Sequence, residues 1–129
     1  MNDSIGHAVL RDANKGELDR CADMMSAQDP WKRLEVDRAR CLASITGPDL
    51  QRYGIYLDDE IAGLAVVHPT GFAFSPYLST LVIRGDRTGR GLGSRLLAHV
   101  EEIVFRTRRD LFLCVSSFNE RARRFYFAR

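Results

Sequence analysis

The chain of 129 residues lacks the features that mark several classes of protein. No uninterrupted apolar run approaches the roughly 20 residues of a membrane span, so no transmembrane segment and no membrane partner are expected. The first residues contain Asp3 and no basic-then-apolar stretch, so no secretory signal is expected. The three cysteines lie far apart without a C-x-x-C pair, which argues against a metal site and a disulfide framework. We therefore expect a single domain over residues 1–129, with its cysteines reduced and a cytoplasmic location.

Lysine is also scarce, since only Lys15 and Lys32 stand among 19 basic residues. Residues 1–83 hold 8 basic and 12 acidic side chains, whereas residues 84–129 hold 11 arginines and 5 acids. Because the guanidinium group matches phosphate geometry, the second part is suited to an anionic partner. A nucleic acid, a phosphorylated small molecule and a merely solvated arginine-rich surface all fit this pattern. Nucleic acid is the least favoured, because no segment resembles a recognition helix or an RNA-stacking motif.

Apolar spacing predicts an α/β (α+β) fold with the element order β-α-α-β-β-β-α-β-α. The expected strands are His7–Arg11, Tyr53–Leu57, Ile61–Val67, Tyr77–Ile83 and a buried-type strand Leu111–Val115. The expected helices are Glu17–Gln28, about Leu34–Ser44, one that opens near Leu92, and a last one after Ser117. We expect a turn at Asp58–Glu60, which joins the second and third strands in a hairpin, and another turn at His68–Gly71.

A loop rich in glycine and arginine, R-G-D-R-T-G-R-G-L-G, joins the strand ending at Ile83 to the next helix. Its glycines let the backbone approach a ligand closely. Amide groups at a helix N-terminus favour a phosphate, and Arg87 and Arg90 flank the same amides. The loop matches neither G-x-G-x-x-G nor G-K-[ST], so dinucleotide and nucleotide-hydrolysing folds are poorly supported. A plain tight turn is the alternative interpretation.

A second pattern follows one helix and one strand later. Asn119, Ala122 and Tyr126 are spaced so that a helix places them on one face. The small residue leaves room for a ligand to pass, and the tyrosine hydroxyl lies at the end of that path. A core helix with an ordinary buried tyrosine is the alternative interpretation.

Together the two patterns resemble the GNAT family of N-acetyltransferases. The segment from Leu81 to Gly93 is similar to the family's signature strand and pyrophosphate loop, written Q/R-x-x-G-x-G/A, which falls here on Thr88–Gly93. Asn119, Ala122 and Tyr126 fit the family's N-x-x-A-x-x-x-Y pattern. The resemblance covers about residues 77–127 in detail. It implies a mixed, mostly antiparallel sheet flanked by helices.

The resemblance implies acetyl-CoA as co-substrate and direct transfer of its acetyl group to a primary amine. The pyrophosphate is then expected near Arg87, on the amides of Thr88, Gly89, Arg90, Gly91, Leu92, Gly93 and Ser94. The pantetheine arm is expected between two strands, along Leu81, Val82 and Ile83. Asn119 is implied to contact this arm beside Ala122, and Tyr126 to give a proton to the departing thiolate. The alternative function is a non-catalytic acyl-CoA-binding or protein-interaction module.

The sequence departs from the family pattern at two site positions. Thr88 stands where glutamine or arginine is usual, which removes one long side chain from the phosphate loop. Cys114 stands where some relatives carry a glutamate base, so the base is not evident. The candidate replacements are a water-mediated path and the side chains of Asp58, Asp59, Glu60 and His68.

The third departure concerns the end of the chain. The family continues past its tyrosine into two further strands, whereas this sequence ends at Arg129. We therefore expect the strand at Leu111 to be an edge strand, which invites pairing with another chain. Either the chain is a truncated product, or a second copy covers this edge in a homodimer.

Overall fold

The computed structural model describes residues 8–72, 74–89 and 91–113. Across these residues one sheet contains, in sequential order, β1 (Val9–Asp12), β2 (Gln51–Leu57), β3 (Glu60–Phe72), β4 (Ser75–Ile83) and β5 (Phe112–Leu113). The helices there are α1 (Leu18–Ser26), α2 (Arg38–Ile45) and α3 (Leu92–Val104). The pairings from β1 to β4 are antiparallel and β4 pairs with β5 in parallel, which confirms the expected mixed sheet.

The predicted hairpin between β2 and β3 is confirmed. Leu57 pairs with Glu60, and the two residues between them, Asp58 and Asp59, have φ values of 50° and 66°. Positive φ at both central positions is the geometry of a type I′ turn, whose twist matches that of the flanking strands. Aspartate tolerates this left-handed region because its short polar side chain bonds locally.

The turn predicted at His68–Gly71 is wrong. β3 continues through this segment, with His68 paired to Tyr77 and Phe72 paired to Ser75. The register shifts between His68 and Phe72, and such an irregularity accommodates Pro69, which cannot donate to a ladder. The chain reverses at Phe74 instead, whose φ is 65°.

The second helix begins four residues later than the predicted start at Leu34. Glu35 has a φ of 56°, which is incompatible with a right-handed helix. The side chain of Asp37 accepts a hydrogen bond from the Arg40 N–H at 2.9 Å and so caps α2. The acidic cap therefore sets the boundary rather than the apolar spacing.

The helices cover both faces of the sheet. α1 and α2 pack on one face, where they share a buried core with Tyr56 of β2, Leu64 and Val66 of β3 and Val82 of β4. α3 packs on the other face against Ile55 of β2 and Ala65 of β3. The neighbours Ile55 and Tyr56 thus point to opposite layers, as the period of two along a strand requires.

The prediction that Leu111–Val115 is a buried strand is wrong for the part that the structure describes. Phe112 and Leu113 are 38% and 37% exposed. Both lie on β5, which pairs with β4 and is an edge strand of the described sheet. Within the described residues β5 is an edge strand, as predicted, whereas Val115 and the predicted last helix lie outside the described residues.

Candidate functional site

The end of β4 presents main-chain groups on the side away from β3. The Arg84 N–H donates to the Ala62 carbonyl at 2.8 Å, which makes these two residues a hydrogen-bonded pair. Such pairs alternate along an antiparallel ladder, so Val82 also directs its main chain to β3. The N–H and C=O groups of Leu81 and Ile83 therefore face the β5 side of the sheet.

A β-bulge separates this segment from the part of β4 that pairs with β5. The register between β3 and β4 shifts so that Ser79 is passed over. The described β4–β5 ladder pairs Tyr77 with Phe112 and Leu78 with Leu113, which places it before the bulge. A bulge bends its strand and increases the twist. Residues 80–83 are therefore turned relative to the strand portion that holds β5.

The chain after β4 forms a tight turn that its own side chains stabilise. Arg84 Nε donates to Asp86 Oδ1 at 2.7 Å, and Arg84 Nη1 lies 3.6 Å from Glu60 Oε1. The hydrogen bond from Arg84 holds the pKa of the Asp86 carboxyl below its ordinary value. Thr88 Oγ1 donates to the Gly85 carbonyl at 3.2 Å. Thr88 thus stabilises the turn instead of reaching out as a longer side chain would.

Two glycines with left-handed backbone lead into α3. Gly89 and Gly91 have φ values of 80° and 82°, a region that costs an L-residue with a Cβ roughly 1–2 kcal/mol. The first helical hydrogen bond runs from the Arg95 N–H to the Gly91 carbonyl at 3.1 Å. The amides of Leu92, Gly93 and Ser94 precede it and have no partner within the helix.

The start of α3 differs from that of α2, because no side chain among the described residues caps it. Asp37 caps α2, whereas the N-cap of α3 is Gly91, which offers no side chain. An uncapped helix start carries unpaired N–H donors and the positive end of the helix dipole. These are the two properties that make a helix N-terminus bind an anion.

Arg87, which precedes the two glycines, has a side-chain nitrogen without a partner among the described residues. Its Nε is buried, and no hydrogen-bond acceptor reaches it among the described residues. A buried, unsatisfied donor costs about 1–3 kcal/mol of folding free energy. An anion bound at the loop would offer an acceptor to this donor. Around the start of α3, the described residues thus combine left-handed glycines at positions 89 and 91 with a buried Nε of Arg87, which lies at the end of the turn before them.

Other predicted site residues fall elsewhere. Val82 pairs with Leu64 of β3 and buries its side chain in the layer of α1 and α2, so it supports the strand from inside. Of the candidate bases, Asp58 and Asp59 form the hairpin turn, and the His68 ring contacts that of Tyr77. Glu60 is paired with Arg84. The predicted residues outside the described part of the chain are Arg90, Cys114, Asn119, Ala122 and Tyr126.

Sequence reasoning missed one residue at this site. The Gln28 carboxamide donates to the Ile83 carbonyl at 2.8 Å, from a position just after α1. The two residues are 55 positions apart in sequence. No local pattern marks a glutamine for such a contact, because it depends on how α1 packs on the sheet.

The described residues contain neither a membrane-spanning helix nor a metal-binding cluster. Within residues 8–72, 74–89 and 91–113, the helices are too short or too polar to cross a lipid bilayer. The same residues contain no cluster of three or more histidine, cysteine, aspartate or glutamate side chains arranged to hold a metal ion.

Comparison with known proteins gives one family match. The family model described as "Acetyltransferase (GNAT) family" matches residues 11–129. A search of curated proteins gives no match.

Solved structures share the fold. A transcriptional regulator from Bacillus halodurans C-125 superposes with a TM-score of 0.73 at 18% identity, covering 95% of this chain and 91% of its own. The PaiA N-acetyltransferase of Thermoplasma acidophilum, solved with coenzyme A, gives 0.69 at 17% identity, covering 94% and 87%. The aminoglycoside N-acetyltransferase AAC(6′)-Iy, also solved with CoA, gives 0.70 at 19% identity, covering 95% and 86%. At these identities the likeness establishes the fold.

Proposed function

Because the chain belongs to the GNAT acetyltransferase family, we propose that it transfers the acetyl group of acetyl-CoA to a primary amine. The observation that carries the proposal is the start of α3, where two left-handed glycines follow β4 in sequence and no side chain among the described residues caps the helix. Two solved structures of similar fold, both named as N-acetyltransferases, contain coenzyme A.

In this proposal the diphosphate of the co-substrate binds the amides between Thr88 and Ser94. The buried Arg87 Nε supports this assignment, since a phosphate oxygen would supply the acceptor that this donor lacks among the described residues. Arg90, which follows Gly89 in sequence, adds a second guanidinium group to the same loop. Electrostatic attraction and main-chain hydrogen bonds then act together.

The arm of the co-substrate extends along β4. The outward main-chain groups of Leu81 and Ile83 can pair with its amides as they would with another strand. We assign Asn119 to the same arm, and Ala122 to the space beside it. An N–H of the β4 edge would polarise the thioester carbonyl, as donors at an oxyanion site do.

The reaction proposed is direct attack of the neutral amine on the thioester. A lysine-like amine with a pKa of about 10.4 must first lose a proton at neutral pH. Glu60 and His68 remain candidates for the base, as does a water-mediated path. The acetyl–nitrogen bond forms, the carbon–sulfur bond breaks, and Tyr126 gives a proton to the departing thiolate. A thiol with a pKa near 8.5 needs only modest help to leave.

Calorimetric titration with acetyl-CoA, followed by a thiol-release assay with a panel of amines, tests the proposal. We expect saturable binding and release of one thiol per acetylated amine. Tyr126→Phe is expected to reduce turnover and to keep the affinity for acetyl-CoA, whereas Gly91→Glu is expected to abolish binding. Acetyl-CoA binding that Gly91→Glu leaves intact would contradict the assigned site. Binding without turnover for every amine favours the alternative, a non-catalytic acyl-CoA-binding module.

We also propose that two copies of the chain associate through the β5 edge. Phe112 and Leu113 are more than a third exposed on β5, an edge strand of the described sheet. Strand edges of this kind favour pairing with another chain. The second copy would cover these two side chains.

A further inference from the structure

Gln28 follows α1 by two residues, and its carboxamide nitrogen donates two hydrogen bonds. One reaches the Met24 carbonyl in the last turns of α1 at 3.0 Å, and the other reaches the Ile83 carbonyl at 2.8 Å. Both partners are acceptors only, so the nitrogen of the carboxamide must face them. Gln28 therefore joins the end of α1 to the end of β4.

The peptide group between Ile83 and Arg84 is held from both sides. Its N–H donates to the Ala62 carbonyl on the β3 side at 2.8 Å, and its carbonyl accepts from Gln28 on the opposite side at 2.8 Å. Because a peptide group is planar, two bonds in opposite directions fix its rotation about the strand axis. This peptide is the last one of β4, immediately before the turn that leads to the glycine loop.

We infer that Gln28 is a positioning residue for the arm of coenzyme A, an inference that rests on the proposed function. The arm needs the outward groups of Leu81 and Ile83 in strand geometry. Gln28 holds the Ile83 carbonyl in that geometry before any ligand arrives, which lowers the cost of ordering the site on binding. A carbonyl oxygen has two lone pairs, so Ile83 can accept a bond from the arm and keep Gln28.

Two parts of coenzyme A, its arm and its diphosphate, are expected to meet different residues. Gln28 acts on the strand edge that meets the arm, whereas the amides of α3 and Arg87 meet the diphosphate. The variant Gln28→Met removes both donated hydrogen bonds and keeps a side chain of similar length. For Gln28→Met we expect the Kd of coenzyme A to rise about three- to tenfold, the equivalent of one hydrogen bond. The Kd of 3′-phospho-ADP, which carries the same diphosphate without the arm, is expected to change less than about twofold.

A matched control is Gln51→Met at the start of β2. Gln51 is exposed, and its Oε1 accepts a hydrogen bond from the Tyr53 hydroxyl at 3.0 Å, two strands away from β4. We expect this substitution to leave both dissociation constants unchanged. A second variant, Gln28→Glu, presents carboxylate oxygens to the two carbonyls that Gln28 holds, so a larger and equally arm-selective loss is expected.

Calorimetric titrations of the unsubstituted protein and the three variants with both ligands test whether Gln28 acts on the arm. Selective weakening of coenzyme A by both Gln28 variants supports the inference. Equal weakening of the two ligands would show that Gln28 maintains the fold in general, and unchanged binding would show that its contact is dispensable. Either result overturns the inference. If the unsubstituted protein binds neither ligand, the proposed function itself fails, and this outcome is distinct from the other two.

Discussion

The hydroxyl of Tyr56 donates to Oε1 of Glu17 at 2.6 Å and so ties β2 to the short helical turn before α1. The guanidinium carbon of Arg11 lies 3.7 Å from the centroid of the Tyr56 ring, and its Nη2 lies 3.5 Å from Glu17 Oε2. β1, β2 and the start of α1 thus meet at one tyrosine that is 2% exposed.

We expect Tyr56→Phe to destabilise the protein by about 1.5–3 kcal/mol, the usual value of a hydrogen bond to a charged group. The ring remains, so its packing and its contact with Arg11 are kept. The measurement is urea unfolding followed by circular dichroism. Tyr77→Phe is the control, because the Tyr77 ring contact with His68 does not need the hydroxyl. An equal effect of both substitutions would contradict the assignment.

Gly91→Ala tests the left-handed entry into α3. The φ of 82° forces strain on any residue with a Cβ, and relief of that strain moves the amides that we assign to the diphosphate. We expect coenzyme A to bind about five- to thirtyfold more weakly, since this loss corresponds to the roughly 1–2 kcal/mol of strain. Gly85→Ala in the same loop is the control, because a Cβ there meets no atom within 4 Å. Similar losses for both variants would contradict a specific role of Gly91.

Arg87→Lys keeps the positive charge and removes the buried Nε donor. If this donor binds the diphosphate, the affinity for coenzyme A falls about tenfold, because lysine cannot reproduce the planar fork of arginine. Arg109→Lys, at an exposed position outside the loop, is expected to change nothing. Calorimetry at two salt concentrations separates the loss of geometry from a loss of charge. Normal affinity in Arg87→Lys would reduce the role of Arg87 to charge alone.

Burial, with a smaller contribution from Glu17, raises the pKa of the Cys21 thiol from 9.0 to about 12. The thiol is therefore neutral in the folded protein, and it contributes stability that is complete below pH 9. This contribution is lost as the pH rises from 9 towards 12, because the unfolded chain ionises first. We expect alkylation of Cys21 at pH 8.5, read by peptide mass spectrometry, to require unfolding. Rapid labelling of the native protein would contradict its burial.

Association through β5 predicts a dimer in light scattering at micromolar concentration. Phe112→Lys places a charge on the exposed side of this strand and is expected to shift the protein towards monomer. Val9→Lys, at a more exposed position on the opposite edge of the described sheet, is the control. A monodisperse monomer before any substitution would contradict the dimer.

The sequence predicted those elements whose causes are local. Apolar spacing located α1, α3 and the strands, and the acidic pair Asp58 and Asp59 marked its hairpin. The errors arose where another influence decided the structure. Asp37 set the start of α2. β3 continues past Pro69 through an irregular ladder, although proline and glycine there suggested a turn.

The candidate site also has one part that the sequence predicts and another that it does not. The glycine loop is visible in sequence because left-handed backbone demands glycine at positions 89 and 91. The contact of Gln28 with Ile83 is invisible there, since it depends on two elements meeting across the sheet. The burial of Arg87 Nε, without an acceptor among the described residues, is equally invisible in the sequence, because the burial of one atom follows from packing and not from residue type.

Strand ends usually exchange their amide hydrogens quickly, because they fray. The peptide between Ile83 and Arg84 is an exception, since both of its polar groups are engaged. Its amide hydrogen should therefore survive in deuterated solvent as long as those in the middle of the sheet. Any hinge that adjusts the loop to a ligand then begins at Gly85, and Arg84 remains with the rigid body of the sheet.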